Sequence, residues 1–138
     1  MRNLATPDML LIALISLLSL VLCFWFSIAV SRARGTYKIN APAMTGNPDF
    51  ERVARVHANT LEQLVPFLVA LWLCALLLSP LAAVVLGFVW LIARIWYALA
   101  YYRDAAKRGP GFGLSAAATV LLIIGALIGI VRNWLLAG

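Results

Sequence analysis

The chain has 138 residues, of which 64% are hydrophobic and only 12% are charged, and this composition excludes an ordinary water-soluble domain. Its net charge of +6 includes no run of Lys and Arg dense enough for nucleic-acid binding, so no nucleic-acid partner is expected. Cys23 and Cys74 lie in apolar stretches without metal-ligand spacing, which indicates apolar filling rather than a metal or redox centre.

Three uncharged stretches are long enough to cross a hydrocarbon layer about 30 Å thick. Ser79 and Pro80 divide the middle stretch, so the sequence predicts four spans, approximately at residues 8–32, 50–78, 81–107 and 112–135. Backbone groups in lipid must be hydrogen-bonded internally, and Leu and Ala dominate the spans, which favours helices. We therefore predict an all-α, integral membrane four-helix bundle that forms a single domain over residues 1–138, with no second, soluble domain.

The first span and the segment after it carry recognisable signals. The uncharged run of the span exceeds the roughly 7 to 15 residues of a signal-peptide core, so we expect it to be retained. Gly and Pro residues predict a loop over residues 31–49. At the end of this loop Asn47 is placed to cap helix two, with Asp49 and Glu51 near the positive end of the helix dipole.

Glycines mark two features of the C-terminal third of the chain. Residues 109–113 read Gly-Pro-Gly-Phe-Gly and predict a turn between helices three and four. Gly125 and Gly129 form a G-x-x-x-G pattern, which lets membrane helices approach closely. We expect this pattern to pack helix four within the bundle.

Lys and Arg are distributed unevenly over the ends of the spans, and in short loops this bias sets membrane orientation. At one end of the bundle the only cations are Arg2 and Arg132, and Arg94 falls within a span. The remaining Lys and Arg residues lie at the opposite, basic end. We therefore expect both termini on the non-cytoplasmic side and the basic end of the bundle in the cytoplasm. Eight cations share that basic end: Arg32, Arg34, Lys38, Arg52, Arg55, Arg103, Lys107 and Arg108.

Helix two begins with a polar segment that then enters an uncharged span. At 100° per residue, Arg55, Asn59 and Glu62 fall within about 60° of one another, whereas His57 points to the far side. Glu62 lies roughly 24 Å from the turn at Ser79, just inside the edge of the hydrocarbon. Because polar groups are costly in lipid, this cluster is a candidate functional site at the cytoplasmic interface.

Helix three is predicted to carry a second polar stripe at a similar depth, formed by Arg94, Tyr97, Tyr101 and Arg108. If the two stripes face each other, they enclose a polar pocket that suits a small zwitterionic peptide. An alternative is that Glu62 pairs with Arg55 or Arg94 only to neutralise charge, and that the Tyr residues anchor the helix at the interface. In that case the protein binds no ligand there.

Several segments resemble the MAPEG family, the membrane-associated proteins in eicosanoid and glutathione metabolism. The resemblance covers nearly the whole chain and agrees with the four predicted helices. Its clearest segments are Ala41-Pro42, the sequence TGNPDFERV at 45–53, the pattern RxHxNxxE at 55–62, Pro66, and the pattern ARxxYxxxY at 93–101.

The resemblance implies a homotrimer that binds glutathione between subunits near the cytoplasmic side, as co-substrate for a hydrophobic electrophile or lipid from the bilayer. It implies that Arg34 and His57 contribute from the neighbouring subunit, although His57 could instead bond within the bundle. The contacts that it implies from one subunit are Arg55, Asn59, Glu62, Tyr97, Tyr101 and Arg108.

Conjugation requires the thiolate of glutathione, because a neutral thiol is a poor nucleophile and ordinarily titrates near 8.5. The resemblance assigns thiolate stabilisation to Arg108; the alternative is that Arg108 is only an orientation-setting charge beside Arg103 and Lys107. Gly35 and Gln63 replace an Arg and a Tyr of leukotriene-forming members. The sequence therefore favours a general glutathione transferase or peroxidase, with a non-catalytic lipid-binding or scaffold protein as the alternative.

Overall fold

The computed structural model of the protein describes residues 6–138, and all the regular secondary structure in that part of the chain is helical. Arg2, which enters the charge distribution, lies outside the described residues. Four helices long and apolar enough to cross a membrane are present in the described chain, as the sequence predicts. They are α1 (Pro7–Tyr37), α2 (Pro48–Leu77), α3 (Pro80–Arg103) and α4 (Gly109–Ala137), with a 3-10 turn at Ala105–Arg108 between α3 and α4.

The loop between α1 and α2 is shorter than the predicted loop over residues 31–49. Helix α1 continues to Tyr37, because Gly35 weakens a helix by only about 1 kcal/mol relative to Ala and does not end it. Lys38, whose φ of 56° is left-handed, caps the end of the helix. The Asn47 side chain accepts hydrogen bonds from the backbone N–H groups of Asp49 and Phe50, which confirms the predicted cap of α2.

The junction between α3 and α4 differs from the prediction of a helix to residue 107 followed by a turn at 109–113. Helix α3 ends at Arg103, and the extended Asp104 accepts a hydrogen bond from Ala106 N–H at 2.9 Å. A continuous helix would bring the ring of Pro110 against the carbonyl of Ala106, whereas proline is well tolerated in the first turn of a new helix. The glycine-rich segment is therefore the start of α4.

The largest apolar core cluster of the bundle lies along the facing sides of all four helices. Phe67 of α2 and Trp90 of α3 stack with their ring centroids 3.9 Å apart and an interplanar angle of 4°. On the other side of α2, the Trp72 indole N–H donates to Ser16 Oγ of α1 at 3.0 Å. These contacts fix the rotation of α2 between its neighbours. They therefore also fix the direction of its polar face, which carries Arg55, Asn59 and Glu62.

Helix α4 approaches two other helices through glycines. A Cβ placed on Gly129 would lie 2.7 Å from the Leu77 carbonyl carbon, and one on Gly125 would lie 2.9 Å from Cys74 Sγ. This close contact with α2 confirms that the G-x-x-x-G pattern packs within the bundle. At the other end of α4, a Cβ on Gly111 would lie 2.5 Å from the Tyr97 backbone nitrogen of α3.

Replacing Gly111 with Ala should therefore force α4 away from α3. We expect Gly111→Ala to lower the free energy of unfolding by about 1–3 kcal/mol, the usual cost of overpacking, measured as a lower thermal unfolding midpoint in detergent. Gly113→Ala is the matched control, because nothing lies within 4 Å of a Cβ at Gly113 and Ala is the better helix former. Equal unfolding midpoints for the two variants would contradict this packing.

Candidate functional site

A cavity of about 290 Å³ opens at the basic end of the bundle. It brings together residues of α2, of α3, of the 3-10 turn that joins α3 to α4, and of the first turn of α4. Two of its lining residues are cations and none is acidic, so it favours an anionic group. Its lining residues are Arg55, Asn59, Tyr97, Tyr101, Arg108 and Phe112, five of which are residues that the sequence analysis singled out.

The α2 side of the cavity carries the predicted polar face. Arg55 Nη1 and Glu62 Oε1 are 3.4 Å apart, and each side chain is 54% exposed. This is one of the two pairings that the charge-neutralising alternative allowed for Glu62. Glu62 does not line the cavity, and it lies on the exposed surface of α2 beside it.

Asn59 is held by Arg94, a guanidinium that is fully buried between α2, α3 and α4. Arg94 Nη2 donates to Asn59 Oδ1 at 2.8 Å and to Thr60 Oγ1 at 3.0 Å, and Nη1 donates to Ser115 Oγ at 3.2 Å. The Arg94 guanidinium carbon also lies 4.2 Å from the centroid of the Tyr97 ring. Arg94 does not line the cavity, so it supports two residues that do.

The contact with Arg94 fixes the orientation of the Asn59 amide. Guanidinium groups only donate hydrogen bonds, so the Asn59 atom that faces Arg94 must be the oxygen. The Asn59 Nδ2 group then remains available to donate to a ligand in the cavity. Asn59 is therefore a donor at this site, like Arg55 and Arg108, and the cavity suits acceptors such as carboxylates.

Arg108 reaches the cavity from a position different from the predicted one. It is the last residue of the 3-10 turn and not part of α3, because α3 ends at Arg103. Its Nη1 donates to Tyr101 Oη at 3.3 Å, and its guanidinium carbon lies 5.3 Å from the Tyr101 ring centroid. The exposed guanidinium thus remains beside the tyrosines that line the cavity.

Besides Glu62, two predicted site residues do not line this cavity, Arg34 and His57. Arg34 donates to the Ala43 carbonyl at 2.7 Å and contacts Met44 Sδ at 3.1 Å, so within one chain it holds the loop between α1 and α2. His57 is half-buried on α2 and does not line the cavity, which agrees with its predicted direction away from Asn59. Their predicted role toward a neighbouring subunit stays a prediction.

Sequence reasoning missed three residues of this region. Phe112 lines the cavity, and Thr60 and Ser115 bind Arg94. Ser115 is one of the few polar residues of helix four, and this was a signal. Its partner Arg94 lies on a different helix, α3, so local spacing could not identify the contact. In the described part of the chain, no group of three or more His, Cys, Asp or Glu side chains could hold a metal ion.

A second cavity, of about 520 Å³, adjoins the first and shares Arg55 and Tyr101 with it. It extends past Glu51 and Arg52 to Met44 in the loop between α1 and α2. Glu51 accepts a hydrogen bond from Gly46 N–H at 3.0 Å, and Arg52 pairs with Asp49. The loop is thereby held beside the open side of the candidate site.

Comparison with known proteins agrees with the resemblance seen in the sequence. The MAPEG family model matches residues 12–128. An uncharacterized protein, sll1147 of Synechocystis sp., is 50% identical over 118 residues, which are 86% of each chain. Microsomal glutathione S-transferase 2 of Homo sapiens is 36% identical over 126 residues, covering 91% of this chain and 86% of the relative.

A further relative is named for a different activity. Leukotriene C4 synthase of Bos taurus is 35% identical over 128 residues, covering 93% of this chain and 85% of the relative. The matched regions contain all four spanning helices in whole or in large part and every residue of the cavity. The chain therefore belongs to the MAPEG family and is an integral, multi-pass membrane protein.

Proposed function

We propose that the protein is a membrane-bound glutathione S-transferase that joins the thiolate of glutathione to hydrophobic electrophiles. The observation that carries this proposal is the donor-rich cavity, in which Arg55, Asn59 and Arg108 surround a space without an acidic wall. Glutathione has two carboxylates, one ammonium group and a thiol, so it needs several donors and at least one nearby anion. Glu62, beside Arg55, supplies that anion.

The proposed reaction begins with glutathione bound from the aqueous side of the basic end. The guanidinium of Arg108 favours the thiolate, and the thiol proton leaves to solvent. The thiolate sulfur forms a bond to an electrophilic carbon of a substrate dissolved in the bilayer, and a leaving group departs with its bonding electrons or an epoxide ring opens. Peroxidase activity belongs to the proposal as well. The thiolate sulfur takes the terminal oxygen of a hydroperoxide and the alcohol leaves; a second glutathione then converts the resulting sulfenic acid to glutathione disulfide and water.

A homotrimer is part of the proposal, with glutathione bound between neighbouring subunits. Glu62, paired with Arg55, is 54% exposed just inside the edge of the hydrocarbon, where a charge left facing lipid is costly. A second copy of the chain would cover this pair and could bring its Arg34 and His57 to the open side of the cavity. We place this site at the cytoplasmic face, in keeping with the excess of Lys and Arg at that end.

The alternative function is a non-catalytic lipid-binding or scaffold member of the same family. Purified protein in detergent, mixed with glutathione and an aryl halide, distinguishes the two. We expect an ultraviolet thiolate signal on glutathione binding, followed by its loss as the thioether conjugate forms, detected by mass spectrometry. If neither the thiolate signal nor the conjugate appears, the transferase proposal is wrong.

Arg108→Ala tests the activating cation. Loss of the guanidinium should raise the pKa of the bound thiol by about one unit, toward its ordinary value near 8.5. The thiolate fraction at neutral pH should then fall by up to about tenfold, and activity should return as the pH rises above 8.5. The pH profile of conjugation measures this shift.

Two controls accompany the Arg108 variant. Arg108→Lys keeps a cation and should retain most of the shift in the thiol pKa, whereas Lys38→Asn removes an exposed cation away from the cavity and should change nothing. If the pH profiles of Arg108→Ala and the unmodified protein coincide, another cation stabilises the thiolate.

Arg94→Lys tests whether Arg94 positions the site without touching the thiol. An ammonium group cannot reproduce the fork that bonds Asn59, Thr60 and Ser115, so the Asn59 amide should lose its fixed orientation. We expect the dissociation constant of glutathione to rise about tenfold, as for one lost hydrogen bond of about 1.4 kcal/mol, with the pKa of the bound thiol unchanged. Arg132→Lys, at an exposed position, is the matched control. If Arg94→Lys binds glutathione as tightly as the unmodified protein, Arg94 contributes to packing and does not position the site.

Glu62→Gln separates a ligand contact from a simple ion pair. If Glu62 binds the ammonium group of glutathione, loss of its charge should raise the dissociation constant at least about tenfold, because charge-assisted hydrogen bonds contribute about 1.5–3 kcal/mol. If Glu62 only pairs with Arg55, affinity should stay constant and the unfolding midpoint should change little. Isothermal titration in detergent measures the affinity.

A further inference from the structure

A cleft on the outer surface of the bundle lies on the other side of the junction that carries Arg108. Its volume is about 590 Å³, and it is separate in its lining residues from the cavity of the candidate site. The proposed transferase reaction makes no use of it. It is lined by Trp96, Leu99, Ala100, Arg103, Ala106, Lys107 and Pro110.

The cleft changes from apolar to cationic along the membrane normal. Measured from Pro80 at 1.5 Å per residue, Trp96 lies roughly 24 Å along α3 and Arg103 roughly 35 Å along it. A hydrocarbon layer about 30 Å thick therefore reaches past Trp96 and ends before Arg103. Trp96 is 48% exposed and Leu99 is 53% exposed, so they offer an open apolar wall directly below the cations.

The two cations of the cleft, Arg103 and Lys107, are exposed and available. The ion pairs of the described residues join Arg52 to Asp49 and Arg55 to Glu62, and neither involves the cleft. Asp104, the acid next to Arg103 in the sequence, does not line the cleft, and its Oδ1 accepts a hydrogen bond from the Ala106 N–H. The cleft thus has net positive charge and no internal counterion among its lining residues.

We propose that this cleft binds an anionic phospholipid, with the phosphate at Arg103 and Lys107 and one acyl chain along Trp96 and Leu99. A free phosphate would use only the cations, and a neutral lipid would use only the apolar wall. An anionic phospholipid contacts both, because its acyl chains lie in the hydrocarbon beside the apolar wall and its phosphate lies at the interface beside the cations. Basic pockets between helices at this membrane depth are suited to lipid headgroups, and Trp is favoured at the same interface.

The full chain, purified in neutral detergent, allows the proposal to be tested by native mass spectrometry with phosphatidylglycerol and phosphatidylcholine of identical acyl chains. The unmodified protein should retain phosphatidylglycerol in preference to phosphatidylcholine. The double variant Arg103→Gln/Lys107→Gln should bind phosphatidylglycerol roughly thirtyfold more weakly, as expected for the loss of two cations near the headgroup. Lys38→Asn, which removes an exposed cation outside the cleft, should bind like the unmodified protein.

Two further measurements identify the occupant. Glycerol 3-phosphate, which has the headgroup charge without acyl chains, should fail to displace phosphatidylglycerol; displacement at equal concentration would overturn the lipid assignment in favour of a free phosphate. A photoreactive residue at Leu99 should crosslink to phospholipid in vesicles, whereas crosslinking to a second copy of the chain would show the cleft to be a subunit interface. Equal lipid retention by the double variant and the unmodified protein would also overturn the proposal, provided that their unfolding midpoints agree.

Discussion

The buried guanidinium of Arg94 is the constraint on which the polar half of this bundle depends. Burial of an ion costs several kcal/mol, and no carboxylate pairs with Arg94 among the described residues. Its compensation comes from three hydrogen bonds at about 1.5–3 kcal/mol each and from the Tyr97 ring, at about 2 kcal/mol for a desolvated contact. Because its partners lie on α2 and α4, α3 is held to both neighbours at this level.

This arrangement gives the candidate site a fixed floor and an open rim. Asn59 and Tyr97 are buried and are held by Arg94, so they lose little freedom when a ligand arrives. Arg55 and Arg108 are exposed at the rim and retain the freedom to adjust to a ligand. A site of this kind can position one polar co-substrate while it accepts varied electrophiles, which is what a general conjugating enzyme requires.

The sequence predicted features that depend on one helix at a time. The Asn47 cap, the grouping of Arg55 with Asn59 and Glu62, and the packing glycines of α4 all follow from local spacing. It could not predict that Arg94 turns toward Ser115, because that contact depends on how α3 and α4 pack together. The predicted end of helix three at residue 107 was wrong, because the apolar pattern of this helix obscured two local stop signals. These are the cap at Asp104 and the steric effect of Pro110.

The break between α3 and α4 also divides the cations of this junction between two surfaces. Arg103 and Lys107 line the outer cleft, whereas Arg108 points to the cavity of the candidate site. A bound lipid phosphate at Arg103 and Lys107 would partly neutralise the positive charge near the site without touching Arg108. The side chains of Arg103, Lys107 and Arg108 carry like charges and repel one another. A phosphate that neutralises part of this charge would therefore favour a compact junction, with Arg108 held against Tyr101. The lipid would then support the site through the geometry of the 3-10 turn rather than through contact with the ligand.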